Sequence, residues 1–282
     1  MVVQHNMQAV NTNRMLGQNV KAVAKSTEKL SSGYKVNRAA DDAAGLSISE
    51  KMRNQIRGIN QAVSNSEDGQ YLIQTAEGNL NEIHSILQRM GELATKAANE
   101  VNATDDRKAI ADEVKQLVCE IDNISKKAQF NGKYLLKTAD QEIDLQVGAN
   151  SDETMTIKLS KIDSTELNLN SYKTVTKGAD LANGGGAGTT KAQSLMDAVT
   201  AAVKTVSDKR SELGAIQNRL DYTINNLENY SENLTSSESN IRDTDMATEM
   251  VNYSKNNILQ QAAQSMLAQA NQSNQSVLSL LQ

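Results

Sequence analysis

From Leu259 to Gln282 the chain carries no charged residue, yet Leu259, Ala263, Met266, Ala270, Ser273, Val277 and Leu280 recur at alternating steps of four and three. That seven-residue beat marks a coiled-coil seam. The seam residues are mostly small, and the remaining faces carry Gln, Asn and Ser. A tail of this kind is too hydrophilic to span a bilayer and too poor in large apolar groups to stand as a free helix in water. It needs partners. The opposite end of the chain keeps the same beat at Leu16, Val20, Val23, Thr27 and Leu30. That segment is basic: Arg14, Lys21, Lys25, Lys29, Lys35 and Arg38 face Glu28 alone within residues 1–40, a net +5. Residues 236–282 have a net charge of −2. The two ends read as halves of one structure, joined to each other and to further copies of the same chain.

Composition supports long helices. The 282 residues include no Pro, no Trp and one Phe. Without proline nothing breaks a helix interior, and burial must come from Leu, Ile, Val, Met and Ala, as in a bundle. A net charge of −5 argues against nucleic-acid binding, and the basic N-terminal segment offers only Tyr34 as a base-stacking aromatic. No apolar N-terminal stretch reads as a cleavable signal peptide. The single cysteine, Cys119, excludes an internal disulfide framework. Its place between Leu117 and Ile121 predicts a thiol opposite the seam, open to solvent.

Ser31–Arg38 interrupts the first beat, and Asp41 or Asp42 offers an N-cap for a new helix. Met52, Ile56, Ile59, Val63, Ser66, Gln70, Ile73, Ala76, Leu80, Ile83, Leu87, Met90, Ala94 and Ala97 then step by fours and threes, with one slip at Gln70–Ile73–Ala76. A further helix, capped near Thr104 or Asp105, carries Ile110, Val114, Leu117, Ile121, Ile124 and Ala128. Another runs from Leu195 through Val199, Ala202, Val206, Lys209, Leu213, Ile216, Leu220, Thr223, Leu227 and Tyr230 to Leu234. Helices sharing one beat pack at shallow angles.

Between them the period falls to two. Ile143, Leu145 and Val147 alternate, a turn follows at Gly148–Glu153, and Met155, Ile157 and Leu159 alternate back, predicting a β-hairpin. Asn131-Gly132 signals a separate tight turn. Residues 160–190 read as a polar connection without core material, ending in the loop Gly184–Gly188. The expected fold class is mainly α: a long antiparallel helical bundle or coiled coil with a small β-hairpin region. Residues 1–43 with 236–282 form a discontinuous inner coiled-coil domain. Residues 44–235 form a rod-like helical domain, with the β region at about 130–190.

No constellation carries chemistry. His5 and His84 stand apart and no Cys/His cluster has metal spacing. The glycine run lacks the Gly-Lys-Ser/Thr ending of a phosphate loop. Asp41-Asp42 reads as a cap rather than a cation site. Lys21, Lys25 and Lys29 form a basic stripe that reads as a solvated or subunit-facing edge rather than a membrane face. No nucleophile has a base beside it. The expectation is a non-enzyme with no cofactor, no metal, no nucleic acid and no membrane partner.

The residues also carry a family resemblance. Glu28-Lys-Leu-Ser-Ser-Gly33, Asn37-Arg-Ala-Ala-Asp-Asp-Ala-Ala-Gly45, Arg57-Gly-Ile-Asn-Gln-Ala62 and Ala128-Gln-Phe-Asn-Gly132 resemble the N-terminal landmarks of bacterial flagellins. Leu213-Gly-Ala-Ile-Gln-Asn-Arg219, Ile258-Leu-Gln-Gln-Ala262, Leu267-Ala-Gln-Ala-Asn-Gln272 and Val277-Leu-Ser-Leu-Leu281 resemble the C-terminal ones. The large variable outer domain of many flagellins has no counterpart here.

The resemblance implies a structural subunit that self-assembles into the extracellular flagellar filament and confers swimming motility. It would be exported through the flagellar type III apparatus, with a flagellar export chaperone, a cap protein and hook-junction proteins as partners. The beat residues Leu16, Val20, Val23, Leu30, Leu259, Ala263, Met266, Ala270, Val277 and Leu280 would then form the self-assembly seam. Gln88-Arg-Met-Gly-Glu-Leu-Ala94 is similar to the segment of stimulatory flagellins held by the host Toll-like receptor that senses them. This implies receptor contacts at Gln88, Arg89, Leu93 and Glu113, with Gly91 standing where many stimulatory relatives have a basic residue. Arg89 and Leu93 are expected off the seam on one exposed face. A reading from another class is a junction or cap-type adaptor with flagellin-like ends, which would bind a filament without elongating by itself.

Ends that lack a complete core should fray in isolation. Limited proteolysis of the dilute monomer is expected to shorten both ends and spare the middle. Equal protection of ends and middle would contradict a coupling of folding to assembly.

Overall fold

The computed structural model describes residues 6–138, 141–173 and 186–280, with backbone only for 186–187 and 274–280. Five helices dominate: α1 (Met7–Ser32), α2 (Ala43–Ala97), α3 (Thr104–Lys127), α4 (Gly186–Arg242) and α5 (Met246–Leu280). The fold is mainly α, and without a proline to interrupt them α2 reaches 55 residues and α4 57. Two antiparallel strand pairs accompany the helices: β1 (Gln129–Phe130) with β2 (Lys133–Tyr134), and β3 (Gln141–Gln146) with β4 (Thr154–Leu159). No described helix is long and apolar enough to cross a membrane.

Side chains set the helix ends. Asn6 Oδ1 accepts the Ala9 N–H at 3.0 Å to open α1. Gly33 closes it in the left-handed region at φ 76°, where a side chain would be strained. Asp42 caps α2 by accepting the Gly45 N–H at 2.9 Å, as the sequence predicts. For α3 the capping residue is Ala103, whose N–H donates to Asp106 at 3.3 Å, so neither Thr104 nor Asp105 is the cap. Asp245 opens α5, accepting from the Ala247 N–H at 2.9 Å and the Thr248 hydroxyl at 2.7 Å. These bonds, the hydroxyl first and the backbone N–H groups next, hold the Asp245 carboxyl below its usual pKa.

The chain divides into two compact units, one gathering residues up to Arg57 with those from Ser231 onward, the other comprising Gly58–Tyr230. The second unit holds the main core. From α2 it takes Ile73, Leu80, Ile83, Leu87, Met90 and Ala94; from α3 Ile110, Val114, Val118 and Ile121; from α4 Leu195, Val199, Ala202, Val206, Leu213 and Leu220. From Ile73 to Ala97 the predicted beat of α2 lies in that core, and so does that of α4 from Leu195 to Leu220 apart from Lys209. On α3 the rhythm differs. Ile110, Val114, Val118 and Ile121 step mostly by four, so Val118 is buried while Leu117 and Ile124 are half-buried flanks. Steps of four are the ridges along which helices of globular bundles interlock. Cys119, next to Val118, is therefore partly covered rather than opposite the seam. Tyr230, expected on the seam, is 48% exposed.

Asn131 and Gly132 have φ 47° and 79°, as a two-residue hairpin turn requires. In the larger hairpin Ile143 stands opposite Ile157 and Leu145 opposite Met155, so one face is apolar. That face lies against α2 where side chains are missing. A Cβ on Gly69 would collide with the Leu145 side chain, and one on Gly58 would sit 2.9 Å from the Ala149 Cβ. Asn65 Nδ2 donates to the Gln146 carbonyl at 3.1 Å beside them.

The segment after β4 is not the coreless connection the sequence predicts. Ile162, Leu167 and Leu169 are buried in the main core. Of the predicted glycine loop, Gly186–Gly188 belong to the first turn of α4, while Gly184 and Gly185 lie outside the described residues. Asp122 of α3 anchors the segment: its Oδ1 accepts the Ser164 N–H at 2.9 Å and its Oδ2 pairs with Lys173. Burial pushes the Asp122 pKa up, but the Lys173 ammonium and Ser164 outweigh it and hold the carboxyl below its ordinary value.

A carboxyl whose folded pKa is depressed stabilises above its unfolded pKa, and that contribution is lost as pH falls through the folded value. Asp122→Asn should therefore cost about 1–3 kcal/mol at pH 7. The gap from wild type should close in acid, below roughly pH 3–4, as the wild-type carboxyl protonates. Urea midpoints of the two proteins across pH measure this; a gap unchanged in acid would mean the carboxylate charge is not what anchors the segment.

Candidate self-assembly site

In the first unit α1 and α5 run antiparallel. Asn6 Nδ2 donates to the Ala270 carbonyl at 3.0 Å near one end, and Lys29 Nζ lies 3.8 Å from Glu249 Oε2 towards the other. The covered side of α1 follows a heptad beat of its own: Ala9, Thr12, Leu16, Asn19, Val23, Ser26 and Leu30. On α5 the covered residues are Glu249, Tyr253, Asn256, Gln260, Ala263, Leu267 and Ala270.

Five of the predicted seam residues, Leu16, Val23, Leu30, Ala263 and Ala270, thus lie between the two helices. Three do not: Val20 is 44% exposed, Leu259 42% and Met266 56%. Val277 and Leu280 belong to the α5 backbone, but their side chains fall outside the described residues. The correction has a physical cause. Two beats run one residue apart along each helix, and the sequence reading followed the larger apolar residues. The pairing instead places Asn19 and Ser26 on the covered face of α1, and Asn256 and Gln260 on that of α5.

The covered stripe is therefore mixed, with Asn19, Ser26, Asn256 and Gln260 interrupting Leu16, Val23, Leu30, Ala263 and Leu267, while large apolar residues are left outside. The buried apolar residues of this unit, among those described, are Val36, Ala263 and Ala270. It nevertheless carries twelve of the seventeen exposed large apolar residues, and the five in the other unit are four tyrosines and Val101. On α5, Val251, Ile258, Leu259 and Met266 fall within a sector roughly 100° wide, turned away from the covered stripe. Val251 and Ile258 were missed because they share no beat with the tail, although Ile258 is among the largest residues there. On α1, Met7, Val10, Met15 and Val20 are likewise exposed. Solvated faces of this kind mark interaction surfaces in soluble proteins.

The second candidate cluster lies on α2 and α3. Arg89 Nε and Nη2 donate to Glu113 Oε1 at 3.1 and 3.0 Å, and Nη1 donates to Glu92 Oε2 at 2.9 Å. These bonds, Glu92 first and Glu113 next, raise the Arg89 pKa. Gln88 is exposed, with its amide 3.0 Å from His84 Nε2. Leu93 departs from the expectation: at 3% exposure it belongs to the main core and does not share the open face of Arg89. The bundle surrounds α2 broadly enough there to bury both Leu93 and Ala94, where a two-helix frame would leave one of them outside.

Comparisons with known proteins agree with this architecture. Residues 3–141 match the family model of the bacterial flagellin N-terminal helical region, and residues 196–281 that of the C-terminal helical region. The chain is similar to a flagellin of Halalkalibacterium halodurans, 52% identical over 281 residues and covering 100% of both chains. It is also similar to a flagellin of Bacillus subtilis, 45% identical and again covering 100% of both. Among solved structures, a protein described as flagellar hook-associated, from Vibrio parahaemolyticus, shares the fold at a TM-score of 0.62. That likeness has 14% identity and covers 72% of this chain and 100% of the other. With both terminal regions matched and end-to-end alignment to flagellins of two bacteria, the chain belongs to the bacterial flagellin family, in a short form without the large variable outer domain.

Proposed function

We propose that this chain is the repeating structural subunit of an extracellular flagellar filament, polymerising through the outer faces of the α1–α5 pair. The observation that carries the reading is the set of large apolar residues, Val251, Ile258, Leu259 and Met266, that the pair leaves in water. Fully burying an aliphatic side chain of this size contributes about 1.5–3 kcal/mol. Partial burial of a few of them falls short of the roughly 4–15 kcal/mol that association costs. One neighbour is not enough, and a helical lattice that gives each subunit several neighbours is the arrangement that makes the balance favourable. Export as an unfolded chain, with a chaperone and a cap protein, fits ends that complete their burial only in the polymer.

A second role, as a ligand of the host Toll-like receptor that senses flagellin, is supported by the exposed Arg89–Glu113 pair and by Gln88. Leu93 has no part in it while the bundle is intact.

The test is Ile258→Glu. The side chain is 65% exposed, so the monomer should keep its circular dichroism and thermal midpoint. A carboxylate on a face that must become dry costs several kcal/mol, and no filaments should form under salt conditions where wild type polymerises, as seen by electron microscopy. Filaments as abundant as wild type would remove this face from the assembly, and failure of the wild type to elongate by itself would favour the adaptor. Ala270→Asp is a different experiment: Ala270 is buried against α1, so that change should loosen the pair within the monomer as well.

A further inference from the structure

Within the α1–α5 pair, register rests on the Lys29–Glu249 ion pair and the Asn6–Ala270 bond, and the stripe between them adds little. On α1 the covered positions seven apart are Leu16, Val23 and Leu30 in one row and Thr12, Asn19 and Ser26 in the other. On α5 the rows are Asn256, Ala263 and Ala270, and Tyr253, Gln260 and Leu267. A slide of one heptad, about 10 Å of helix rise, exchanges like for like along the Leu16, Val23 and Leu30 row of α1, while the rows of α5 are less uniform. A seam of this kind specifies register weakly, since register comes from distinctive residues at single positions.

The distinctive contacts lie at the breaks between helices. Lys35 N–H donates to the Arg242 carbonyl at 2.6 Å and Thr244 N–H to the Gly33 carbonyl at 3.0 Å, an antiparallel bridge centred on Tyr34 and Asp243. The Arg242 guanidinium lies 4.5 Å from the centroid of the Tyr34 ring. Its Nη1 is 3.2 Å from Glu50 Oε1 and 4.0 Å from Glu238 Oε1. Glu238 also accepts the Ser49 hydroxyl at 2.9 Å. Val36 beside them is 4% exposed. Main chain and side chain of Arg242 thus hold both breaks at once, and no slid pairing of α1 and α5 preserves those bonds.

We propose that Arg242 is a positioning residue for assembly. It locks α1 and α5 at one register, so that their exposed apolar residues stand at fixed levels when a second copy of the chain docks. This rests on the assembly reading above and adds its control. Arginine suits the role because one planar cation stacks on an aromatic ring and reaches two carboxylates together.

The experiment uses the full-length chain as wild type, Arg242→Met and Arg242→Lys, each also with Cys119→Ser and spin labels at Gln8→Cys and Gln269→Cys. Amide exchange in the monomer should rise about tenfold or more at Lys35 and Thr244 in Arg242→Met while the core of α2 is unchanged. Arg242→Lys, which keeps the charge but not the planar fork, should recover only part of the protection, and a mere loss of packing volume would predict none, since methionine fills the space equally well. The label distance should be single in wild type and acquire populations offset by about 10 Å in Arg242→Met. Polymerisation of Arg242→Met should slow about tenfold, as expected when only a fraction of subunits is docking-competent. Wild-type distances and wild-type polymerisation in Arg242→Met would overturn the lock. Ile258→Glu separates the two readings: it should retain the wild-type register and form no filaments. If it polymerises normally, the docking face is wrong while the register data still decide the lock.

Discussion

The structure of the terminal unit depends on the pairing of two helices whose shared stripe is only partly apolar. Asn19, Ser26, Asn256 and Gln260 occupy positions that a self-sufficient coiled coil fills with Leu or Ile. Hydrogen bonds between such groups replace bonds to water and contribute little net free energy. Such residues do not add the apolar burial that would make the pair independent. The second unit shows the contrast within the same chain. Its helices share one continuous core from Leu72 to Leu220, with residues such as Ile73, Ile83, Leu87, Met90 and Val206 at 0% exposure. One chain therefore holds a finished bundle and an unfinished pair.

Much of this was legible in the sequence. The heptads of α2 and α4, the hairpin with Ile143 opposite Ile157 and the cap at Asp42 all follow from periodicity and local hydrogen-bond chemistry. What periodicity misjudged were positions where partner geometry, not the chain's own repeat, decides the outcome. Val118 replaces Leu117 because a helix packed on several sides follows steps of four. Leu93 goes inside because the bundle is broader than a two-helix seam. The segment containing Ile162, Leu167 and Leu169 looked polar, since its apolar residues follow no regular period and are held by the tertiary bonds of Asp122. On α5 the sequence reading followed one of two beats a residue apart, and the stripe covered by α1 follows the other. Leu259 and Met266 were placed on the seam, and Val251 and Ile258 were not recognised at all.

Glycine placement shows how the finished unit was made to close. At Gly58 and Gly69 the hairpin approaches α2 to distances no side chain would permit. A glycine within a helix costs about 1 kcal/mol relative to alanine. Here that cost is offset by the burial of the hairpin's apolar face, including Met155 and Ile157, which has no other cover within two strands.

The near absence of charge on α5 follows from the same unfinished burial. Along Met246–Leu280 the charged residues are Glu249 and Lys255 alone, and Glu249 already lies beside Lys29. In a homopolymer every exposed feature of one subunit is repeated by each neighbour, so a charge on a docking face meets the same sign at every turn unless a complement is built nearby. Asparagine, glutamine and serine avoid that repulsion. They keep the free chain hydrated, and they can bond to copies of themselves in any of several registers. That tolerance is useful for a surface that meets many neighbours, but it removes the information that would align the helices. Alignment then has to come in part from outside the helical pair, and the charged, aromatic cluster around Arg242 lies at the breaks that end α1 and begin α5. Polar positions along the helices and the distinctive contacts of Arg242 at their base are thus two parts of one physical solution.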